Sequence, residues 1–168
     1  FGGATVSWMN EETSEVGSVR LTPPEGINPV AFIPDFELCT AAARAALPAT
    51  VPHGDASFNV ARGALLAAVL SGGAQVSGGA DLHALLMEAT RDRLHQEQRR
   101  AAMEPSLALV DWLRGAGFAA VVSGAGPTVL SLEKVGADIR RDAAGAGWRV
   151  VPLAVAASGV QITRGSLA

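Results

Sequence analysis

The stretch of residues 123–128 leaves the chain around it few ways to fold. It reads Ser-Gly-Ala-Gly-Pro-Thr and joins two short apolar runs, 119–122 and 129–132. A connection this short predicts that the two runs are adjacent antiparallel strands. Its glycines suit a hairpin turn that needs positive φ, and they also suit a backbone cradle beside a phosphate. Neither common phosphate motif is present, because Lys134 is followed by valine and the third glycine of the dinucleotide fingerprint is absent.

The order of apolar runs predicts an α+β fold. From Val30 onward the chain reads as strand, helices, strand, tight loop, strand, helix and strand. This split β-α-β-β-α-β pattern, with extra helices in its first crossover, predicts an antiparallel sheet with helices on one face. The strands are expected at 30–34, 118–122, 128–132 and 148–154, with an edge strand at 159–162 and a preceding hairpin of 4–8 with 18–21.

Capping residues and prolines predict where the helices begin. Thr40 precedes good helix formers as far as residue 47. Asp55 and Asp81 are placed as N-caps, and Pro105 suits the first turn of a helix that runs to about residue 114. A further helix is expected near 135–145.

Composition limits the function classes. The chain has 168 residues, of which 49% are hydrophobic and 17% charged, so it can build a core and is not disordered. Its net charge of −3 gives no basic surface for nucleic acid or an anionic membrane. No apolar run approaches the roughly 18 residues of a membrane span. The lone cysteine, Cys39, excludes an intramolecular disulfide, and we expect it to be a small buried residue in a cytoplasmic protein.

Two polar segments are candidates for binding an anionic small molecule. Thr40 and Arg44 are four residues apart and share a face if the segment is helical. The alternative is an N-cap followed by a surface arginine. In the second segment, "DRLHQEQRR", Arg99 suits a bidentate contact with a carboxylate, and the alternative is a solvated helix end.

A metal site is not predicted. Glu88, Asp92 and His95 have helical spacing and would share one face, but no further ligand cluster accompanies them. A charged, solvated face explains them better.

Taken together, these segments resemble the GHMP kinases. "SGAGPTVL" resembles the third signature motif of that superfamily. "PDFELCTAAARAALP", "HGDASFNVARGALLAAVLSG" and "DRLHQEQR" resemble the C-terminal half of its bacterial homoserine kinases. The resemblance extends from the first residues to about Pro152.

The resemblance implies a ferredoxin-like C-terminal domain, in agreement with the split pattern. It implies that Arg44 and Arg99 hold the carboxylate of L-homoserine and that Thr40 is a catalytic residue near the reacting hydroxyl. It also implies ATP and Mg²⁺ as cofactors, with O-phospho-L-homoserine as a product on the way to threonine. The residues expected to support the phosphate-binding loop are Ser123, Gly124, Ala125, Gly126, Pro127 and Thr128.

The chain departs from the family pattern in two places. Glu97 and Gln98 stand where the family usually has proline and tyrosine, and no "PxxxGLGSSAA" nucleotide loop occurs. We therefore expect a C-terminal portion, in which 1–25 is a remnant of the N-terminal domain and 26–168 is the C-terminal domain. The missing N-terminal domain is then a partner, and the portion alone is expected to be inactive.

Several alternatives remain open at this point. The protein is a GHMP kinase for another small alcohol, or it is a non-catalytic ferredoxin-like binding or regulatory module. A homodimer is neither predicted nor excluded.

Overall fold

The computed structural model describes residues 3–72 and 81–159, which form two sheets with helices packed around the larger one. The strands are β1 (Ala4–Met9), β2 (Val16–Leu21), β3 (Val30–Ile33), β4 (Ala120–Val122), β5 (Val129–Ser131) and β6 (Arg149–Pro152). The helices are α1 (Thr40–Ala45), α2 (His53–Leu70), α3 (Leu82–Ala89), α4 (Glu104–Gly115) and α5 (Ala137–Gly145), with a 3-10 helix at Glu97–Ala102.

The larger sheet has the strand order β4-β5-β3-β6, and every neighbouring pair is antiparallel. This is the arrangement that the split β-α-β-β-α-β pattern predicts, so the expected α+β, ferredoxin-like fold is confirmed. The first crossover, between β3 and β4, contains the extra helices α1, α2 and α3 ahead of α4. The predicted edge strand at 159–162 lies almost wholly outside the described residues.

One face of this sheet forms the main core with α4 and α5. Period-two alternation along the strands directs Val30, Phe32 and Val129 to the same face, where each is at most 2% exposed. Leu109, Val110 and Leu113 lie on one side of α4 and complete the cluster, together with Ala143 of α5. Burying each of these large side chains contributes about 1.5–3 kcal/mol.

The inserted helices form a second cluster. Leu86 of α3 and Val69 of α2 are its buried centre, and Ala119 and Leu132 join it from the sheet.

The predicted cap is confirmed at Asp81, whose side chain accepts a hydrogen bond from the Ala84 N–H at 2.8 Å. The prediction for Asp55 is wrong: α2 begins at His53, and Asp55 lies within its first turn. Pro52 occupies the N-cap position and makes no side-chain hydrogen bond, and Asp55 instead places a negative charge in the first turn, where it interacts favourably with the helix dipole.

Strands β1 and β2 form a separate antiparallel hairpin with one apolar and one polar face. Val6, Trp8 and Val19 lie on the apolar face and are 44%, 53% and 49% exposed. Across the described residues, no helix is long and apolar enough to cross a membrane.

Candidate functional site

The glycine loop, residues 123–128, is a closed hairpin turn. The Ser123 N–H donates to the Thr128 carbonyl at 2.8 Å, and the Gly126 N–H donates to the Ser123 carbonyl at 3.0 Å. Gly124 and Gly126 have φ of +61° and +88°, a region that favours glycine. The prediction of a hairpin turn is therefore confirmed. The predicted role beside a phosphate stays a prediction, because the backbone N–H groups of a turn can also contact a ligand.

The base of the loop is packed and its tip is open. A Cβ on Gly126 would lie 2.7 Å from the Sδ of Met103 and 3.1 Å from Val122, whereas a Cβ on Gly124 would meet nothing within 4 Å. Ser106, in the first turn of α4, donates from its Oγ to the Pro127 carbonyl at 2.6 Å. The base of the loop is thus held against α4 while the tip remains accessible.

The loop tip presents hydrogen-bond donors. Within the part of the chain that the structure describes, the N–H groups of Gly124 and Ala125 donate to no acceptor. Two successive free N–H groups next to a residue with positive φ fit an anionic oxygen or a backbone carbonyl. The tip can therefore support a phosphate directly or hold another loop that does so.

Arg99 joins the loop to α1. Its Nε donates to the Ala43 carbonyl at 3.1 Å, and its Nη1 donates to the Gly124 carbonyl at 3.1 Å. The residue is only 9% exposed, so the interpretation as a solvated helix end is wrong. A guanidinium has five donors, and these two contacts leave Nη2 available for a ligand.

Helix α1 carries the other two candidate residues. Thr40 and Arg44 are both exposed, and α1 begins at Thr40 after Cys39, which occupies the cap position without a side-chain hydrogen bond. Thr40 is therefore not the N-cap. Among the described residues Arg44 has no ion-pair partner, so its charge is free to meet an anion.

Cys39 is exposed, which contradicts the expectation of a buried residue. The residues that follow it, 40–42, are exposed as well, so α1 begins at the surface. The nearby backbone N–H groups of Ala41 and Ala42 lower the pKa of its thiol.

A turn between α3 and the 3-10 helix positions Arg99. Asp92 accepts hydrogen bonds from the backbone N–H groups of His95 and Gln96 at 2.8 and 2.7 Å, and from the Asn59 amide at 2.6 Å. Burial opposes ionisation of Asp92, but these hydrogen bonds outweigh it and hold its pKa at about 2. The turn is therefore fastened to α2 through a carboxylate that is charged at neutral pH.

Three residues that contact the loop or its strand were missed by the sequence reasoning. Gln96 accepts from the Val122 N–H, and Ser106 and Met103 hold the base of the loop. For Gln96, the only signal was its proximity to Arg99. Ser106 and Met103 had none, because an isolated serine or methionine has no distinctive pattern.

A cavity of about 640 Å³ lies beside the loop, between α2 and the second face of β4 and β5. Leu66, Val121 and Leu130 line its apolar part, and Arg99 and Ser123 lie at the loop end. Its walls thus combine an apolar surface with groups that suit a small polar ligand.

The metal-like spacing of Glu88, Asp92 and His95 has another explanation. Glu88 forms ion pairs with Arg62 and Arg91, and Asp92 pairs with His95 at 3.0 Å. Over residues 3–72 and 81–159, no group of three acidic, histidine or cysteine side chains is arranged to hold a metal ion.

Comparisons with known proteins point to one family. Residues 74–145 match the family model described as GHMP kinases C terminal. The homoserine kinase of Streptomyces avermitilis is 43% identical over 163 residues, and that of Corynebacterium efficiens is also 43% identical over 163 residues. These alignments cover 96% and 93% of this chain but 50% of each relative. The chain therefore spans about half the length of the curated relatives it matches.

A solved structure supports the fold independently. The crystal structure of homoserine kinase from Cytophaga hutchinsonii superposes with a TM-score of 0.70 at 18% identity. The match covers 84% of this chain and 45% of that structure.

Proposed function

The chain belongs to the GHMP kinases, whose C-terminal domain it contains, and from this premise we propose that its full-length protein is an ATP-dependent homoserine kinase. The proposed reaction transfers the γ-phosphoryl group of ATP to the hydroxyl of L-homoserine and yields O-phospho-L-homoserine and ADP. The observation that carries the proposal is that homoserine kinases align with nearly the whole chain. The candidate site adds an arrangement of charges suited to an amino-acid substrate.

The arginines account for binding of the substrate carboxylate. Arg44 has a free, exposed guanidinium, and Arg99 keeps Nη2 available after its two contacts with backbone carbonyls. Guanidinium groups pair well with carboxylates because their donors match the two oxygens. Since Arg99 contacts Ala43, α1 is held beside the loop, and we place the homoserine hydroxyl near Thr40.

The glycine loop would act by position and charge. Phosphoryl transfer depends mainly on alignment and on stabilisation of charge over the phosphoryl oxygens. The free N–H groups of Gly124 and Ala125 fit either those oxygens or the backbone of a second loop that holds them. ATP supplies the phosphoryl group, and Mg²⁺ neutralises the charge of its phosphates.

We further propose that residues 1–25 belong to the N-terminal domain and 26–168 to the C-terminal domain. The hairpin of β1 and β2 forms its own sheet, and its apolar face with Val6, Trp8 and Val19 is exposed. Within residues 3–72 and 81–159, its hydrogen bonds to the rest of the chain are made by Gly3 and Arg20 to the carbonyls of residues 156 and 157. An N-terminal domain would cover this apolar face.

Substrate identity is tested with the full-length protein. ATP is supplied with L-homoserine, galactose or mevalonate, and the phosphorylated product is detected by ³¹P NMR. We expect O-phosphohomoserine, with a kcat/KM about 100-fold above that for galactose, because galactose has no carboxylate and a carboxylate bound by arginines contributes about 2–4 kcal/mol. Mevalonate also carries a carboxylate, so its result separates homoserine from other acidic alcohols. Preference for another alcohol would indicate a different GHMP kinase, and no transfer at all would favour the non-catalytic module. The 168-residue chain by itself is expected to form no product.

The role of Arg44 is tested separately. Arg44→Ala should raise the KM for homoserine at least about 30-fold and leave the KM for ATP nearly unchanged. Arg141→Ala is the matched control, because Arg141 is 73% exposed and pairs only with Asp138 on α5. Equal effects on both substrates would rule out the carboxylate assignment.

A further inference from the structure

We propose that Gln96 is a positioning residue that fixes the end of β4 where the chain enters the glycine loop, and thereby sets the position of the loop tip. The kinetic part of this proposal rests on the proposed function. The structural part concerns a single hydrogen bond, in which the Val122 N–H donates to the Oε1 of Gln96 at 2.8 Å.

The need for this bond follows from the position of β4 at the edge of the sheet. In an antiparallel pair, N–H groups point alternately toward the partner strand and away from it. Ser123 directs its N–H to Thr128, and Val122 lies opposite Val129, so the Val122 N–H points away from β5. Among the described residues no strand lies on that side of β4, and Gln96 supplies the acceptor. Without it, a partly buried donor would lose its partner.

Gln96 is itself held firmly. Its backbone N–H donates to Asp92 at 2.7 Å, and Asp92 is bound by Asn59 of α2 at 2.6 Å. Three residues further on, Arg99 binds the Gly124 carbonyl. One short segment therefore holds both the entry of the loop and its tip, and connects them to α2.

The loop does not need Gln96 in order to form. The hairpin is closed by its own backbone hydrogen bonds, and Ser106 and Met103 hold its base. Removing Gln96 should therefore leave the turn intact and allow the end of β4 to shift. A displacement of about 1 Å is enough to lower the rate of a positioned reaction by about 100-fold.

The structural part is tested by amide hydrogen exchange on the full-length protein. Gln96→Leu removes the acceptor, and Gln96→Glu retains an acceptor oxygen. The matched control is Gln98→Leu, because Gln98 lies on the same segment and donates to the Arg93 carbonyl instead of contacting the loop. Exchange of the Val122 amide should become about tenfold faster in Gln96→Leu, the effect of losing one hydrogen bond, and remain near wild type in the other two variants. Unchanged exchange in a folded Gln96→Leu protein would overturn the proposal, whatever reaction the protein catalyses.

The kinetic part uses the same variants. Gln96→Leu should lower kcat for homoserine phosphorylation at least about tenfold with little change in KM, since the loop rather than the substrate carboxylate is displaced. Gln96→Glu should recover most of the loss, and Gln98→Leu should show none. A normal kcat in Gln96→Leu, or an equal loss in Gln98→Leu, would overturn the positioning role. If wild type phosphorylates no homoserine, the proposed function fails, and the exchange result still decides whether Gln96 holds the strand.

Discussion

The chain contains two β-hairpins that differ in what holds their turns. The first, β1–β2, is closed locally: the Asn10 side chain accepts from the N–H groups of Glu12 and Thr13 at 2.9 and 3.1 Å. The second, β4–β5, is held from elsewhere in the chain, by Gln96, Arg99 and Ser106. A turn that only reverses the chain needs no distant contacts, so the contacts made to the glycine loop indicate that its exact position matters.

The two hairpins also differ in burial. Val6 and Val19 form a cross-strand pair in the first hairpin, and Val122 and Val129 form the corresponding pair in the second. Val129 is fully buried against α4 and α5, whereas Val19 is 49% exposed. The same local pattern is thus part of the core in one hairpin and an open surface in the other.

The largest expected effect is a difference in catalytic activity between variants that loosen the two turns. In the full-length protein, Arg99→Ala should lower kcat/KM for homoserine by about 30- to 1000-fold, because it removes a charge-assisted contact and releases the loop from α1. Asn10→Ala should leave kcat/KM unchanged and cost about 1 kcal/mol of stability. Steady-state kinetics and urea unfolding of both variants measure the difference. Similar activities in the two variants would mean that the contacts to the second turn have no functional role.

A smaller effect is expected from equivalent glycine substitutions. Gly126→Val combines a positive φ with contacts of 2.7 Å to Met103 and 3.1 Å to Val122, and should cost about 3 kcal/mol. Gly17→Val, in strand β2 of the first hairpin, would meet the ring of Trp8, which is 53% exposed and can turn aside, so we expect a cost under about 1 kcal/mol. Urea midpoints measured on the full-length proteins give both values. Equal costs would show that the glycine loop is no more tightly packed than strand β2.

Substituting one valine of each cross-strand pair tests the difference in burial between the two hairpins through the loss of stability. Val129→Ala should destabilise by about 2 kcal/mol, since it removes two buried methyl groups and leaves a cavity. Val19→Ala at an exposed site would cost less than about 0.5 kcal/mol. In the full-length protein we expect a larger cost, because the N-terminal domain is proposed to cover this face. A cost under about 0.5 kcal/mol in the full-length protein would contradict that proposal.

The smallest expected effect is a pH dependence of the free energy of unfolding. It should come from Asp92, which supports the second hairpin, and not from Asn10 in the first. The pKa of Asp92 in the folded protein, about 2, lies below its ordinary value of 3.8, so the ionised carboxylate stabilises the fold above about pH 4. That stabilisation should decline as the pH falls toward 2. The stability difference between wild type and Asp92→Asn should therefore shrink by about 1 kcal/mol between pH 5 and pH 2.5, after allowance for solvent screening. Asn10→Ala, which removes a neutral side chain, should show a constant difference, and equal slopes for the two variants would contradict the prediction.

Much of the fold could be predicted from local patterns. The split order of strands and helices, the Asp81 cap and the position of Pro105 in the first turn of α4 all follow from periodicity and capping chemistry. The prediction for Asp55 was wrong because an aspartate suits both the N-cap and the first turn of a helix, and sequence alone does not distinguish the two positions. The prediction that Cys39 is buried was wrong because burial depends on which side chains pack over a residue, and composition does not specify them.

The sequence by itself determined the succession of strands and helices along the chain, the tight turn at Gly124 and Gly126, and the motifs that resemble those of the GHMP kinases, since each element, turn or motif is expressed in residues that are close together. Only the tertiary structure decided that Arg99 is buried and bridges α1 and the loop, and that Gln96 completes the edge of β4. These contacts join residues 56, 25 and 26 positions apart. The physical reason is that a hydrogen bond across such a separation depends on how whole elements pack, and it leaves no periodic signal in the residues that make it.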